Sequence, residues 1–217
     1  MSAGPRVLAT ISYRKEYFSF GATTITLYGE GFSLGRYSYT CSGDLNGDGG
    51  TSNDLIYIPK DKSEMNFVAI TGSVPFTAAQ QADAWDAYIE QDEYLSKHRG
   101  QYAERNGAMV PMVYRADLSI SQELFASFFK KRNTLQFRVD FLNFTNFINK
   151  NWGVAQRYIN AQPLIVTTTG GAQADAQGRA QYKMRVVNNQ LMSKTLEQSL
   201  SINDVYRIMF GFRYNFN

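Results

Sequence analysis

The chain has 217 residues with 22 Lys and Arg against 19 Asp and Glu, and a formal charge of +3 is too small and too dispersed to point to nucleic acid. Aromatics are 14% of the chain while its mean hydropathy is −0.34, so apolar and polar residues must be finely interleaved. No apolar run approaches the roughly 20 residues of a membrane helix, so any membrane crossing must use strands, and the one cysteine, Cys41, excludes an internal disulfide framework.

The start, Met1-Ser2-Ala3-Gly4-Pro5, lacks the basic segment and apolar run of a secretory signal. The chain is therefore expected to be a piece of a longer precursor. Just after it, Val7, Ala9, Ile11 and Tyr13 alternate with Arg6, Leu8, Thr10, Ser12 and Arg14, the period of a strand. A short link over 15–21 leads to a second strand, with Thr23, Ile25 and Leu27 set against Thr24, Thr26 and Tyr28.

A long connection over 36–110 follows. Its Tyr37 and Tyr39, like Trp152 and Tyr158 further on, are expected to anchor strand ends at a membrane interface. Asp44-Leu45-Asn46-Gly47-Asp48-Gly49 places oxygen side chains at alternate positions, and Asp54 lies ten residues beyond Asp44. Asp44, Asn46, Asp48 and Asp54 are candidate calcium ligands, although Leu55 stands where an EF-hand needs an acid. The competing reading is an Asx/Gly turn without metal. Thr77 and Gln80 form a capping box before apolar residues at helical spacing, which predicts one helix over 77–96. The acids Asp83, Asp86, Glu90, Asp92 and Glu93 read as its solvated face. The sole histidine, His98, lies in Lys97-His98-Arg99, the pattern of a helix end. Neither a nucleophile elbow nor a phosphate loop is present, and no catalytic residue is assigned.

The third strand sets Met112, Tyr114, Ala116, Leu118 and Ile120 against Val113, Arg115, Asp117, Ser119 and Ser121. After a short link over 126–133, Leu135, Phe137, Val139 and Phe141 alternate with Gln136, Arg138 and Asp140. A second long connection, 149–203, contains strand-like 163–168 and 181–187 around a Gly/Ala/Gln stretch, which predicts a projecting hairpin. The last strand carries Tyr206, Ile208, Phe210, Phe212, Tyr214 and Phe216 on one face, with Arg207, Met209, Gly211, Arg213 and Asn215 on the other.

A soluble sandwich would alternate as well, but these polar faces hold arginine with aspartate. Arg115 and Asp117 next to Arg138 and Asp140 are expected to form a cross-strand ionic ladder, continued by Arg207 and Arg213, along an aqueous lumen. Leu135, Phe137, Val139, Tyr206, Ile208, Phe210, Phe212 and Tyr214 are expected to face lipid. About ten residues per strand, tilted by about 45°, rise about 24 Å, close to the apolar band of an outer-membrane barrel. Short and long connections alternate as periplasmic turns and extracellular loops do, which leaves the C-terminus in the periplasm. The expected fold is all-β, an antiparallel transmembrane barrel segment of five strands.

Specific strings carry a resemblance. Residues 39–49 with Asn53-Asp54-Leu55-Ile56-Tyr57-Ile58-Pro59, and the stretch 95–108 that opens Leu95-Ser96-Lys97-His98-Arg99-Gly100, resemble Oar-like TonB-dependent receptors of the Bacteroidota. Phe137-Arg138-Val139-Asp140-Phe141-Leu142-Asn143-Phe144-Thr145-Asn146 resembles the penultimate strand of the wider TonB-dependent class. The resemblance implies the C-terminal part of a barrel of about 22 strands. It also implies a plug domain that engages TonB, import of a bulky nutrient across the outer membrane, and, as in SusC-like relatives, a surface lipoprotein lid. The partners so implied are the remainder of the barrel and the plug, TonB, the lid and outer-membrane lipid, with no nucleic acid. The alternative is a self-contained surface or secreted β-domain that binds a ligand with calcium-stabilised loops.

Overall fold

Side chains that alternate in polarity can satisfy a sheet whose two faces meet different surroundings. In the computed structural model, which describes residues 4–128, 131–167 and 174–216, the five alternating segments form one antiparallel sheet. Its strands are β1 (Arg6–Tyr17), β2 (Gly21–Phe32), β3 (Val113–Phe128), β4 (Lys131–Leu142) and β5 (Arg207–Asn215). Each pairs with the one before it in sequence, and the chain is mostly β. Among the described residues the sheet is not closed into a barrel, and β1 and β5 are its edges.

The strands are longer than the alternation alone marks. β3 and β4 extend through most of 126–133, where a link is expected, and leave between them only 129–130, outside the described residues. Three residues join β1 to β2, with Phe18 and Ser19 at φ 49° and 38°. Side chains other than Gly and Asn rarely adopt that left-handed region. The turn stacks the Phe18 and Phe20 rings 5.7 Å apart and leaves both exposed.

Register carries the apolar positions straight across the sheet. One row reads Ile11, Leu27, Leu118, Phe141, Ile208; the next reads Tyr13, Ile25, Ile120, Val139, Phe210. A slip of one residue at any strand would move its whole apolar set to the other face. The opposite face carries Ser12, Thr26, Ser119, Asp140 and Met209 in one row, and Arg14, Thr24, Ser121, Arg138 and Gly211 in the next. Five separate alternations thus converge on one apolar face and one largely polar face.

The chain divides into a sheet unit, Gly4–Leu34, Pro111–Gln156 and Gln198–Asn217, and a loop unit in which Gly35–Val110 and Arg157–Glu197 fold together. The loop unit has its own core, in which Tyr39, Cys41, Ile56, Ile58, Trp85, Tyr88, Ile89 and Leu95 are buried. Tyr37 and Tyr39, expected at an interface, belong to this core, because two long loops together hold enough apolar residues to bury them. The helix starts as expected at the capping box of Thr77 and Gln80, then divides into α1 (Ala78–Gln91) and α2 (Glu93–Lys97). Asp92, extended at φ −95°, ψ 123°, breaks it by accepting the N–H groups of Tyr94 and Leu95 as the cap of α2. In the second loop Leu164–Val166 pairs antiparallel with Tyr182–Met184, as a hairpin would. The hairpin does not stand alone, since Leu164 and Ile165 also pair in parallel with Cys41 and Ser42 of the first loop. Residues 168–173 of the expected hairpin lie outside the described residues.

Candidate functional site

On the polar face charged and hydroxyl side chains form several separate pairs and short chains. Arg6 pairs with Glu30 at 2.8 Å, and Arg14 reaches over β2 to Glu123 on β3, also at 2.8 Å. Gln136 donates to Glu123, and the Ser12 and Thr26 hydroxyls lie 2.9 Å apart. Arg138 pairs with Asp140 of its own strand at 2.7 Å and donates across to the Ser119 hydroxyl. Arg213 sits opposite Gln136 in this face, and Arg207 donates to Asn203.

The ladder expected between Arg115/Asp117 and Arg138/Asp140 does not form. Register is the reason: the last β3–β4 pair is Leu118 with Phe141, so Arg115 and Asp117 lie beyond it, while Arg138 and Asp140 face Ser121 and Ser119. They join a different cluster. Arg115 donates to the Gly153 carbonyl, forms an ion pair with Asp204 and stacks its guanidinium 5.1 Å above the Phe32 ring. Asp117 accepts the Asn143 N–H at 2.7 Å. Asn143, left-handed at φ 51°, ends β4 and starts α3 (Phe144–Ile148), while its buried amide donates to the carbonyls of Gly153 and Asp204. Asn146 binds the carbonyls of Lys150 and Trp152 and accepts the Tyr206 N–H. The two asparagines of the 137–146 string are therefore the clasp that gathers the ends of β3, β4 and β5. Their positions were visible in the sequence, but their partners were not.

The apolar face is uncovered. Phe137, Phe210 and Phe212 are 48%, 82% and 66% exposed, and Tyr206, Ile208 and Tyr214 are also exposed. Leu135 and Val139, between two neighbouring strands, are half-buried. Phe137 and Phe212 meet edge to face at 5.3 Å. Along this face the composition changes with level. Tyr114, Phe147 and Tyr206 lie toward the long-loop end, aliphatic side chains with Tyr13, Phe137, Phe141, Phe210 and Phe212 fill the middle, and Tyr17, Tyr214 and Phe216 lie toward the short-turn end. At that lower level Tyr17, Thr23 and Gln122 form a hydrogen-bonded chain, with 3.1 Å and 2.7 Å between successive partners.

The acidic turn of the loop unit closes on itself. Asp44 accepts the N–H groups of Gly47, Asp48 and Gly49, Asp48 accepts Gly50, and Asp54 accepts Leu45 at 2.6 Å. The Gly50 N–H, with the side-chain amides of Asn46 and Asn53, holds the Asp48 carboxyl below its ordinary range. The Asn46 side chain bonds the N–H and carboxylate of Asp48. Among the described residues no group of three or more His, Cys, Asp or Glu side chains is placed to hold a metal. Elsewhere, Asp83 and Asp86 pair with Lys62, and Asp86 and Glu90 with Arg99. His98 stacks on Tyr94 with a ring nitrogen 2.7 Å from its carbonyl oxygen. The Cys41 thiol is buried against the Leu164 carbonyl, and burial pushes it up to about 12. Trp152 is exposed, whereas Tyr158 stacks on Tyr37 in the loop unit.

The buried polar groups of the loop unit had no signal in the sequence. The Tyr39 hydroxyl donates to Asp92 and lies 3.1 Å from Thr195, which itself donates to Asp92. Gln81, fully buried on α1, donates to the Val68 carbonyl and accepts the Met184 N–H. Each joins the first loop to the second. No protein-family model, curated protein or solved structure matches the chain.

Proposed function

We propose that the chain is a five-strand portion of the wall of an outer-membrane barrel, the C-terminal part of a TonB-dependent transporter that imports a nutrient. In this reading the polar face lines the lumen and meets a plug, and the loop unit lies outside the cell, where it meets the ligand. One observation carries it. Five strands in continuous register present an apolar face that nothing in the sheet unit covers, backed by a face of mutually satisfied Arg, Glu, Asp, Ser and Thr. A water-soluble sheet buries its apolar face, and exposed apolar patches of this extent mark an interaction surface. Hydrocarbon fits this one because tyrosines stand at both ends of the apolar band, Tyr114 and Tyr206 at one and Tyr17 and Tyr214 at the other, with mainly Ile, Leu, Val and Phe between them. The free edges of β1 and β5 support the same reading, since lipid does not tolerate unpaired strand edges and further strands would have to complete the wall. The TonB engagement, the plug and a lipoprotein lid enter through the resemblance of residues 39–59, 95–108 and 137–146.

Tryptophan placed at Phe210 and, separately, at Met209 tests the reading after reconstitution into bilayers containing lipid brominated along its acyl chains. The expected result is strong quenching and blue-shifted emission at 210, with weak quenching at 209. Equal quenching at both sites, or a chain that disperses as a monomer without detergent, would reject it.

A further inference from the structure

The loop unit contains a cleft of about 320 Å³ whose walls are aromatic. Tyr57 and Tyr102 form one corner, their rings 5.3 Å apart and inclined at 61°. Phe67 and Tyr182, neighbours across a parallel bridge, supply the facing wall, and the buried Trp85 lies at the floor. At the rim one oxygen of Glu64 accepts the Tyr57 hydroxyl and the Lys60 N–H. Among the described residues its other oxygen takes no hydrogen bond, and no cation pairs with it. The cation at the rim, Arg179, is held by Asp175 at 2.8 Å. Counted together, Glu64, Arg179 and Asp175 leave one uncompensated negative charge beside a cluster of ring faces.

We propose that this cleft binds a quaternary ammonium group, such as the head of a choline-like cation. Ring faces carry the negative part of the aromatic quadrupole, and several such faces around one site attract a cation that is too weakly hydrated to prefer water. Shape points the same way. A trimethylammonium head is nearly spherical and can touch two rings inclined at 61° at once. The hydrogen-bonding groups agree in part: the Asn66 amide nitrogen at the rim already donates to Asp175 and to the carbonyls of Arg179 and Ala180, so its N–H groups are not available for sugar oxygens. All these residues lie in the loop unit, so the site stands independently of the membrane reading.

The test is calorimetric titration of the whole chain in a polyoxyethylene detergent, whose head carries neither sugar nor ammonium. The probes are choline, its uncharged isostere with carbon in place of nitrogen, and maltose. Saturable binding of choline is expected, with the isostere about tenfold weaker, within the range cation–π attraction supplies between exposed and desolvated sites. Tyr102 is 67% exposed, so Tyr102→Leu leaves the fold intact, and it is expected to weaken choline about fivefold. Glu64→Gln should weaken choline without changing the isostere. Equal binding of choline and isostere, no saturable binding of choline, or competition by maltose would each overturn the assignment.

Discussion

The Thr195 hydroxyl donates to the Asp92 carboxylate at 2.7 Å, across 103 residues of sequence. Both are buried, and the same carboxylate caps α2. This contact unites the two long loops. Thr195→Val keeps the shape and removes the donor, so the loop unit should lose about 1–2 kcal/mol. Asp92→Ala should cost more, because it also strips the cap of α2 and takes one acceptor from the Tyr39 hydroxyl. Hydrogen exchange should show faster opening over 35–110 and 157–197 in both variants, with the strands unchanged.

Neighbours in β5 should respond oppositely to charge. In a bilayer, Phe210→Arg should destabilise by about 2–4 kcal/mol, the cost of arginine near the midplane, and Met209→Arg by less than about 1 kcal/mol. Reversible unfolding in lipid vesicles measures both. A chain whose apolar face meets water would tolerate either change.

Arg115 and Asp204 are both largely buried. Removing the cation alone strands a carboxylate, one oxygen of which already has no hydrogen-bond partner. Arg115→Ala should therefore cost about 3 kcal/mol. The double variant Arg115→Ala/Asp204→Ala should cost less than the sum of the two singles, and denaturant midpoints would show the difference.

The loop unit should lose stability in alkali. Burial raises Cys41 from 9.0 to about 12 and Tyr37 and Tyr182 from 10.0 to about 12. These groups stay protonated in the folded unit at pH values where the unfolded chain has released the protons. Stability is thus fully present below about pH 9 and falls as pH rises toward about 12. Melting followed between those limits should decline steadily, and Cys41 should react with thiol reagents only as the unit opens.

The Asp44 turn should hold without metal. Asp44→Ala leaves three N–H groups without this acceptor and should open 44–54 to protease, whereas a chelator should leave the cleavage rate of the parent unchanged. Calcium-dependent protection would instead assign Asp44, Asn46, Asp48 and Asp54 as ligands.

The sheet was legible because a strand states its two faces within a few residues, so Phe210 against Met209 can be read without knowing any partner. The pairings on the polar face were not. Arg115 looks equivalent to Arg138 along the chain, yet it lies beyond the last β3–β4 pair, and only register reveals that its partner is Asp204. The loop unit was hidden for a related reason. Its deciding contacts, Tyr39 with Thr195 and Gln81 with Met184, join distant segments and leave no local period. Even the helix was half visible: its capping box is a local pattern, whereas the break at Asp92 depends on the buried hydroxyls that hold that carboxylate.

The Val110 N–H donates to the Gly35 carbonyl at 3.0 Å, so the first long loop returns to the place where it departed. Closing an unstructured segment of that length, in place of a five-residue turn, would cost the sheet about 2 kcal/mol in chain entropy. Because the loop is folded, its own core meets that cost, and β2 and β3 are brought together as if by a short turn. Such a loop can be lengthened or recast in evolution while the two strands that it joins keep their alignment.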